Sequence, residues 1–238
     1  MIIEEKYLCG YQYVDANLKM KNSAILCLLE DMAGLHGIYA GESLLTSTTA
    51  WILTAYKIIV KKRPIYGDRI TMRTWSKGIK NFTAYREFEM LDADGEQIVC
   101  AFSEWAHINR ADGTLAKAEP ELIESYCSEP DRTNFEAPRI RRQKEPTEFV
   151  AQTQHTISRL MIDTNHHVNN VYYLDLASDA VEQIAGEDYT ADSFEIFYKK
   201  EIKCGQTVSC RATETEEGYQ VLIVGEDDTT HAQIILYK

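Results

Sequence analysis

The chain has 238 residues, 45% of them hydrophobic and 26% charged, and a formal net charge of −12 at pH 7. That length and composition fit one or two globular domains with apolar cores, and so acidic a chain is not expected to bind nucleic acid or anionic membranes in general. No run of about 18 apolar residues is present to cross a bilayer, and the six cysteines form neither a CxxC pair nor a metal-ligand spacing.

In chain order, residues 7–14 (YLCGYQYV) read as a first strand. Residues 22–40 read as a helix, with Ile25, Leu28, Leu29, Met32, Leu35 and Tyr39 recurring at three and four and Leu26, Cys27 and Ile38 filling other faces. A helix apolar nearly all round is expected to be buried. Asn22 or Ser23 is its expected cap, and Gly34 and Gly37 would admit a neighbouring backbone. His36 reads as a satisfied core or cleft histidine. Strands rich in aromatic and β-branched residues follow at 50–62, 69–75, 82–91 and 96–109. Turns at Gly67-Asp68, Asp92 to Gly95 and Arg110 to Gly113 punctuate them. Residues 128–147 mix Pro130, Pro138 and Pro146 with alternating charge, and are expected to link a domain 1–127 to a domain 148–238.

The second half repeats the plan: a strand at 148–158, a polar loop, a helix at 170–185, then strands near 192–203, 206–215, 218–225 and 230–237. In that helix Leu174, Ala177, Val181 and Ile184 form an apolar stripe opposite Asp175, Asp179 and Glu182, so it is expected to be partly exposed. The halves also match residue by residue. Lys61, Lys62, Gly67 and Arg73 correspond to Lys199, Lys200, Gly205 and Arg211, and Asp15, Asn17, Lys19 and Asn22 correspond to Asp163, Asn165, His167 and Asn170. The first copy thus has Lys19 where the second has His167, and Arg63 where the second has Glu201.

The loop LMIDTNHHVNNVYYLD, Leu160 to Asp175, concentrates the chemistry. Asp163, Asn165 and His167 stand two residues apart, which on a helix would turn Asn165 away but in an extended or looped chain points all three one way. Asp-Thr-Asn favours turns over helix, and Asn169 or Asn170 can cap the helix that follows. Asn and Asp clusters also serve as plain loops and caps, and a lone histidine is usually structural.

The run D-x-N-x-H-V-N-N with Tyr172, Tyr173 and Leu174 resembles the active-site signature of the fatty acyl-acyl carrier protein (acyl-ACP) thioesterases. Tyr198-Lys199-Lys200-Glu201 is similar to the Y-(R/K)-(R/K)-E context of that family's downstream glutamate. The resemblance implies an α+β chain of two tandem hot-dog domains, each an antiparallel sheet wrapped around a long helix. It implies hydrolysis of acyl-ACP thioesters by Asp163, Asn165, His167 and Glu201, with the first domain shaping the acyl pocket around helix 22–40. Ile202 stands where many members carry a cysteine. Cys204 and Cys210 read as small buried hydrophobes, Cys204 pointing away from Glu201 if the segment is a strand.

Thioester hydrolysis needs a positioned water, a base and donors for the developing oxyanion, and no metal or other cofactor. Glu201 is the preferred base or nucleophile, with Asp163 orienting Asn165 and His167, although the sequence leaves the two carboxylates interchangeable. Amides at the start of helix 170–185 are candidate oxyanion donors. An acyl-CoA thioesterase and a non-catalytic acyl-thioester binder are the alternatives. An acidic carrier protein would need a local basic patch, for which Arg139, Arg141, Arg142, Lys144, Lys199, Lys200 and Lys203 are candidates. The oligomeric state, monomer or homodimer, stays open. The start MIIEEKYLCG resembles neither a signal peptide nor an organelle leader, and with unpaired cysteines this makes the cytoplasm the expected location.

Overall fold

A computed structural model of the chain describes residues 1–43, 45–136, 140 and 142–238. It divides into two compact units, Met1–Arg139 and Ile140–Lys238. The first contains β1 (Ile2–Leu8), α1 (Asn22–Tyr39), β2 (Thr49–Val60), β3 (Arg69–Lys80), β4 (Thr83–Leu91), β5 (Gln97–Asn109) and the short α2 (Pro120–Ser125). The second contains β6 (Ala151–Thr156), α3 (Val171–Ala185), β7 (Ser193–Tyr198), β8 (Thr207–Thr215), β9 (Gly218–Gly225) and β10 (Thr230–Tyr237).

Both units build one antiparallel sheet in the same order. In the first unit it runs β1-β3-β4-β5-β2, and in the second β6-β8-β9-β10-β7, so each places its first, third, fourth, fifth and second strands side by side. The helix between the first two strands lies against the sheet: α1 against β1 and β3, and α3 against β6, β8, β9 and β10. The expected two-layer α+β plan is what the chain adopts. Among the described residues no helix is long and apolar enough to cross a membrane.

Several expectations need correction. The first strand occupies 2–8 rather than 7–14, because Gly10 opens a short 3-10 turn over Tyr11–Tyr13. Helix α1 buries Ile25, Leu26, Leu28, Leu29 and Met32, each worth about 1.5–3 kcal/mol when withdrawn from water. It is not buried all round, since Cys27, Asp31, Gly34 and Ile38, at helical spacing, form an exposed stripe. Gly34 therefore meets no neighbour, and a Cβ at Gly37 would meet side-chain atoms of Glu42 and Tyr126. Neither Asn22 nor Ser23 caps the helix; the Asn22 side chain instead accepts a hydrogen bond from Arg63 at 2.9 Å. Helix α3 follows its expected stripe, with Leu174, Ala177 and Val181 buried and Asp175, Asp179 and Glu182 exposed.

The segment expected to be a linker is anchored for much of its length. In the first unit, Glu129 N–H donates to Ser76 O at 2.8 Å, Thr133 Oγ1 donates to the Glu87 carboxylate at 2.9 Å, and Trp75 Nε1 donates to Arg132 O at 3.1 Å. In the second, Gln143 Nε2 donates to the Tyr237 hydroxyl at 3.2 Å, and Gln220 Nε2 donates to Gln143 Oε1 at 2.9 Å.

His36 is fully buried, as expected of a satisfied core histidine. Arg86 Nη1 donates to its Nδ1 at 2.8 Å, and its Nε2 lies 3.2 Å from the Tyr126 carbonyl. Burial, reinforced by the adjacent Arg86 charge, pushes its pKa from 6.5 down to about 3. Between those two values only the unfolded chain takes up the proton, so stability falls as pH drops through that window, by up to about 1.4 kcal/mol per pH unit. His36→Gln, which has no proton to gain, is expected to lose that share of the slope in denaturant titrations run from neutral to acid pH. A variant as acid-sensitive as the parent would show that another group is responsible.

Candidate active site

The 163–168 segment is shaped by one carboxylate. Asp163 Oδ1 accepts from the backbone N–H of Asn165 at 2.8 Å and of His167 at 3.1 Å, while Oδ2 accepts from Asn165 Nδ2 at 3.1 Å. Asp163 N–H donates to His167 O at 2.8 Å, which closes the loop. His166 takes a left-handed conformation at φ 64°, a strain of about 1–2 kcal/mol for a residue with a Cβ, which the converging hydrogen bonds offset. The expectation that three side chains simply point one way is met in part. The Asp163 carboxylate turns back on the loop's own amides, and Asn165 is exposed beside it. The His167 ring is half-buried and has no hydrogen-bond partner among the described residues.

Two backbone hydrogen bonds fasten this loop. Asn169 N–H donates to Met161 O at 2.8 Å, and Val168 N–H donates to Ile202 O at 2.8 Å. Val168 follows His167 and Ile202 follows Glu201, so the second bond brings both sequence-predicted segments together. Glu201 is not on a strand as expected. Strand β7 ends at Tyr198, and the amides of Lys199 and Lys200 both donate to His231 O, at 2.8 and 3.2 Å, which breaks the ladder. Glu201 is exposed and makes no hydrogen bond or ion pair among the described residues. Cys204 is likewise exposed in the turn before β8, not a buried hydrophobe, whereas Cys210 is buried.

Three amides at the start of α3 are already satisfied. Asn169 Oδ1 accepts from Val171 N–H at 3.1 Å, and the amides of Tyr172 and Tyr173 donate to Asn169 O and Asn170 O at 3.0 and 3.4 Å. These amides are therefore spent on capping, not free to hold an oxyanion as the sequence reading had it.

Tyr173 is a site residue that sequence reasoning did not single out by role, although it stands in the motif. It is buried, its ring packs edge-on against Tyr198 at 5.2 Å, and the Tyr198 hydroxyl donates to Asn170 O at 3.1 Å. Burial first, and then the charges of Glu201 and Asp163, push its hydroxyl well above the ordinary tyrosine range, against an opposing hydrogen bond with the Ile202 backbone. Both carboxylates thus lie within electrostatic reach of one phenol.

The first unit contains the same loop without the same side chains. Asp15 Oδ1 accepts from the amides of Asn17 and Lys19 at 2.8 and 2.9 Å, Asp15 N–H donates to Lys19 O at 2.8 Å, and Leu18 takes φ 60°. Met20 N–H donates to Pro64 O at 2.8 Å, the counterpart of the Val168–Ile202 bond. Arg63, at the position of Glu201, donates to Met20 O at 2.7 Å. Gly67 and Gly205 are also equivalent, at φ 93° and 82°, and each donates its N–H to the residue after the first strand of its unit, Cys9 O or Ile157 O, at 2.9 Å.

Of the candidate basic patch, Arg139 and Arg141 lie outside the described residues. Arg142, Lys144, Lys200 and Lys203 are exposed. Lys199 is paired with Glu145, and Lys200 lines a cleft of about 210 Å³ with Glu226 and Asp227.

Comparisons with known proteins agree with one another. A family model for the acyl-ACP thioesterase N-terminal domain matches residues 1–126, and one for the acyl-ACP thioesterase C-terminal domain matches residues 144–237. The oleoyl-acyl carrier protein thioesterase 1, chloroplastic, of Arabidopsis thaliana is 23% identical over 90% of this chain and 64% of its own length, so the chain spans less than two thirds of that curated relative. An acyl-ACP thioesterase from Bacteroides thetaiotaomicron superposes with a TM-score of 0.87 at 22% identity, covering 99% of this chain and 97% of that one. The 12:0-ACP thioesterase from Umbellularia californica superposes with a TM-score of 0.83 at 16% identity, covering 98% and 95%. At these identities the superpositions show the fold, two tandem hot-dog domains.

If the aspartate builds the loop rather than the chemistry, its removal costs both units alike. Asp15→Ala and Asp163→Ala are each expected to lower stability by about 1–2 kcal/mol, through the hydrogen bonds they delete. Denaturant titration checks this, and a loss confined to one unit would show that the loops are not equivalent.

Proposed function

This chain belongs to the acyl-ACP thioesterase family, and from that premise we propose that it hydrolyses fatty acyl-ACP thioesters to free fatty acid and carrier thiol. The observation that carries the assignment of roles is the contrast between its two acids. Asp163 spends both oxygens on Asn165 and His167, whereas Glu201 is exposed and without a partner among the described residues. Glu201 is the general base and Asp163 a positioning residue. The equivalent Asp15, which accepts the same two backbone amides through one oxygen where Lys19 and Arg63 replace the histidine and the glutamate, supports that division.

In the reaction Glu201 takes a proton from water, and the oxygen so activated attacks the thioester carbonyl carbon. The carbonyl π pair becomes an oxyanion, which the Asn165 amide, with one N–H left over from Asp163, is suited to receive. As the carbonyl reforms, the C–S bond breaks, and His167 donates a proton to the departing thiolate. The catalytic groups belong to domain 148–238. Domain 1–127, with α1 at its centre, receives the acyl chain, and 128–147 joins the two. An acidic carrier protein meets the exposed Arg142, Lys144 and Lys203. The reducing cytoplasm suits the exposed cysteines Cys27, Cys127 and Cys204.

Glu201→Gln and His167→Ala are each expected to lower kcat on acyl-ACP by about 100-fold or more, the usual contribution of general acid–base groups, with the fold retained. Cys204→Ser is expected to be near neutral. Near-normal turnover by folded Glu201→Gln would remove that residue from the mechanism, and total loss in Cys204→Ser would move the nucleophile to sulfur.

Reversing Arg142, Lys144 and Lys203 to Glu is expected to lower kcat/KM on acyl-ACP and weaken its salt dependence, because contacts between exposed charges act mainly on association rate. A small synthetic thioester should be hydrolysed as before. No change on the carrier-bound substrate would favour acyl-CoA instead.

A further inference from the structure

The sheet of the first unit carries a polar row where it faces α1. Tyr56 on β2 is directly opposite Ser103 on β5, Ser103 is opposite Arg86 on β4, and Arg86 is opposite Ser76 on β3. Residues paired across strands project to the same face, so these four side chains form one transverse line, and all are buried. His36 of α1 contacts the line from above through Arg86. In a helix-on-sheet core this interface is ordinarily apolar, and each buried polar group here needs a partner.

Two of the four are short of partners. Arg86 Nη1 donates to His36 Nδ1 at 2.8 Å and to Thr74 Oγ1 at 3.0 Å, both neutral acceptors, and its other N–H groups meet no acceptor among the described residues. No carboxylate lies within ion-pair distance of it among them. Its guanidinium carbon is 5.9 Å from the Phe88 ring and 5.8 Å from the Tyr126 ring. It keeps 6% of its surface accessible. The Tyr56 hydroxyl is wholly buried and has no partner among the described residues. Its ring lies 6.1 Å from that same Phe88, so the guanidinium and the unpartnered hydroxyl flank one aromatic side chain.

From this geometry we propose that Arg86 and Tyr56 form a subsite that recognises an oxygen atom, a hydroxyl or a carbonyl, carried along the acyl chain. The proposal rests on the reading that the first unit receives that chain. Unsatisfied N–H and O–H donors call for an acceptor, which a plain hydrocarbon cannot supply. A neutral oxygen fits better than a carboxylate, because negative charge is already present: Glu42 acts on Arg86, and Glu30 on the Tyr56 hydroxyl. Sites that hydrogen-bond a substrate oxygen discriminate strongly against the analogue lacking it, since the buried groups are then left unpaired.

The test uses carrier-bound acyl thioesters of one chain length, unsubstituted or carrying a single hydroxyl or keto oxygen at successive carbons. At one position the oxygenated chain should have the higher kcat/KM, and Tyr56→Phe should cut the oxygenated-to-unsubstituted ratio about 10-fold. Arg86→Met should cut it at least as far; should that variant not fold, Tyr56→Phe, which removes one oxygen and leaves the ring, decides alone. Calorimetric binding of the matching free hydroxy and unsubstituted fatty acids to the full chain supplies a readout independent of hydrolysis. A Tyr56-dependent preference in binding, in a protein that hydrolyses no thioester, would sink the proposed activity and keep the subsite. Hydrolysis with no oxygenated chain preferred, or with a ratio unchanged in Tyr56→Phe, would overturn the subsite and leave the activity standing.

Discussion

The loop between β6 and α3 depends on what the Asp163 carboxylate does with its lone pairs. A turn that places His166 in a left-handed conformation exposes backbone amides toward its own centre, and these must find acceptors. Asp163 supplies one oxygen to the amides of Asn165 and His167 and the other to the Asn165 side chain. The residues that bear the amide and the imidazole are thereby held in place by the loop itself. The single Val168–Ile202 hydrogen bond then brings Glu201, from a distant part of the sequence, beside that loop.

The duplicate in the first unit separates scaffold from chemistry. Asp15 gathers the same amides, Leu18 takes the same backbone conformation, and Met20 makes the same bond to the segment after β2. What differs is the side chains presented. Arg63 in place of Glu201 puts a cation where the second unit presents an acid, and it is engaged by Met20 O and by the Asn22 side chain. The first unit also has buried polar groups in another place, the row on its sheet beneath α1. There the neutral His36 and the charged Arg86 share a hydrogen bond deep in the core. Burying a guanidinium is costly unless its donors are met.

Much of this was legible in the residues. Helices α1 and α3 and most strands announced themselves by periodicity and by the turns between them. Spacing and family resemblance made Asp163, Asn165, His167 and Glu201 the candidates, and the duplication of the loop was legible from constant offsets between halves. These are local properties, carried by composition and order along the chain. Tertiary contacts decided the rest. The end of β7 at Tyr198, which leaves Glu201 in a loop, follows from two amides sharing the His231 carbonyl across the sheet. The exposed stripe of α1 depends on which side the sheet covers, which a helix apolar on nearly every face cannot specify. The two carboxylates were equivalent in sequence; their hydrogen bonding differs, because Asp163 finds its partners within its own loop and Glu201 finds none among the described residues. The row of Tyr56, Ser103, Arg86 and Ser76 joins residues far apart in the chain, and only strand register, a long-range property, places them in one line.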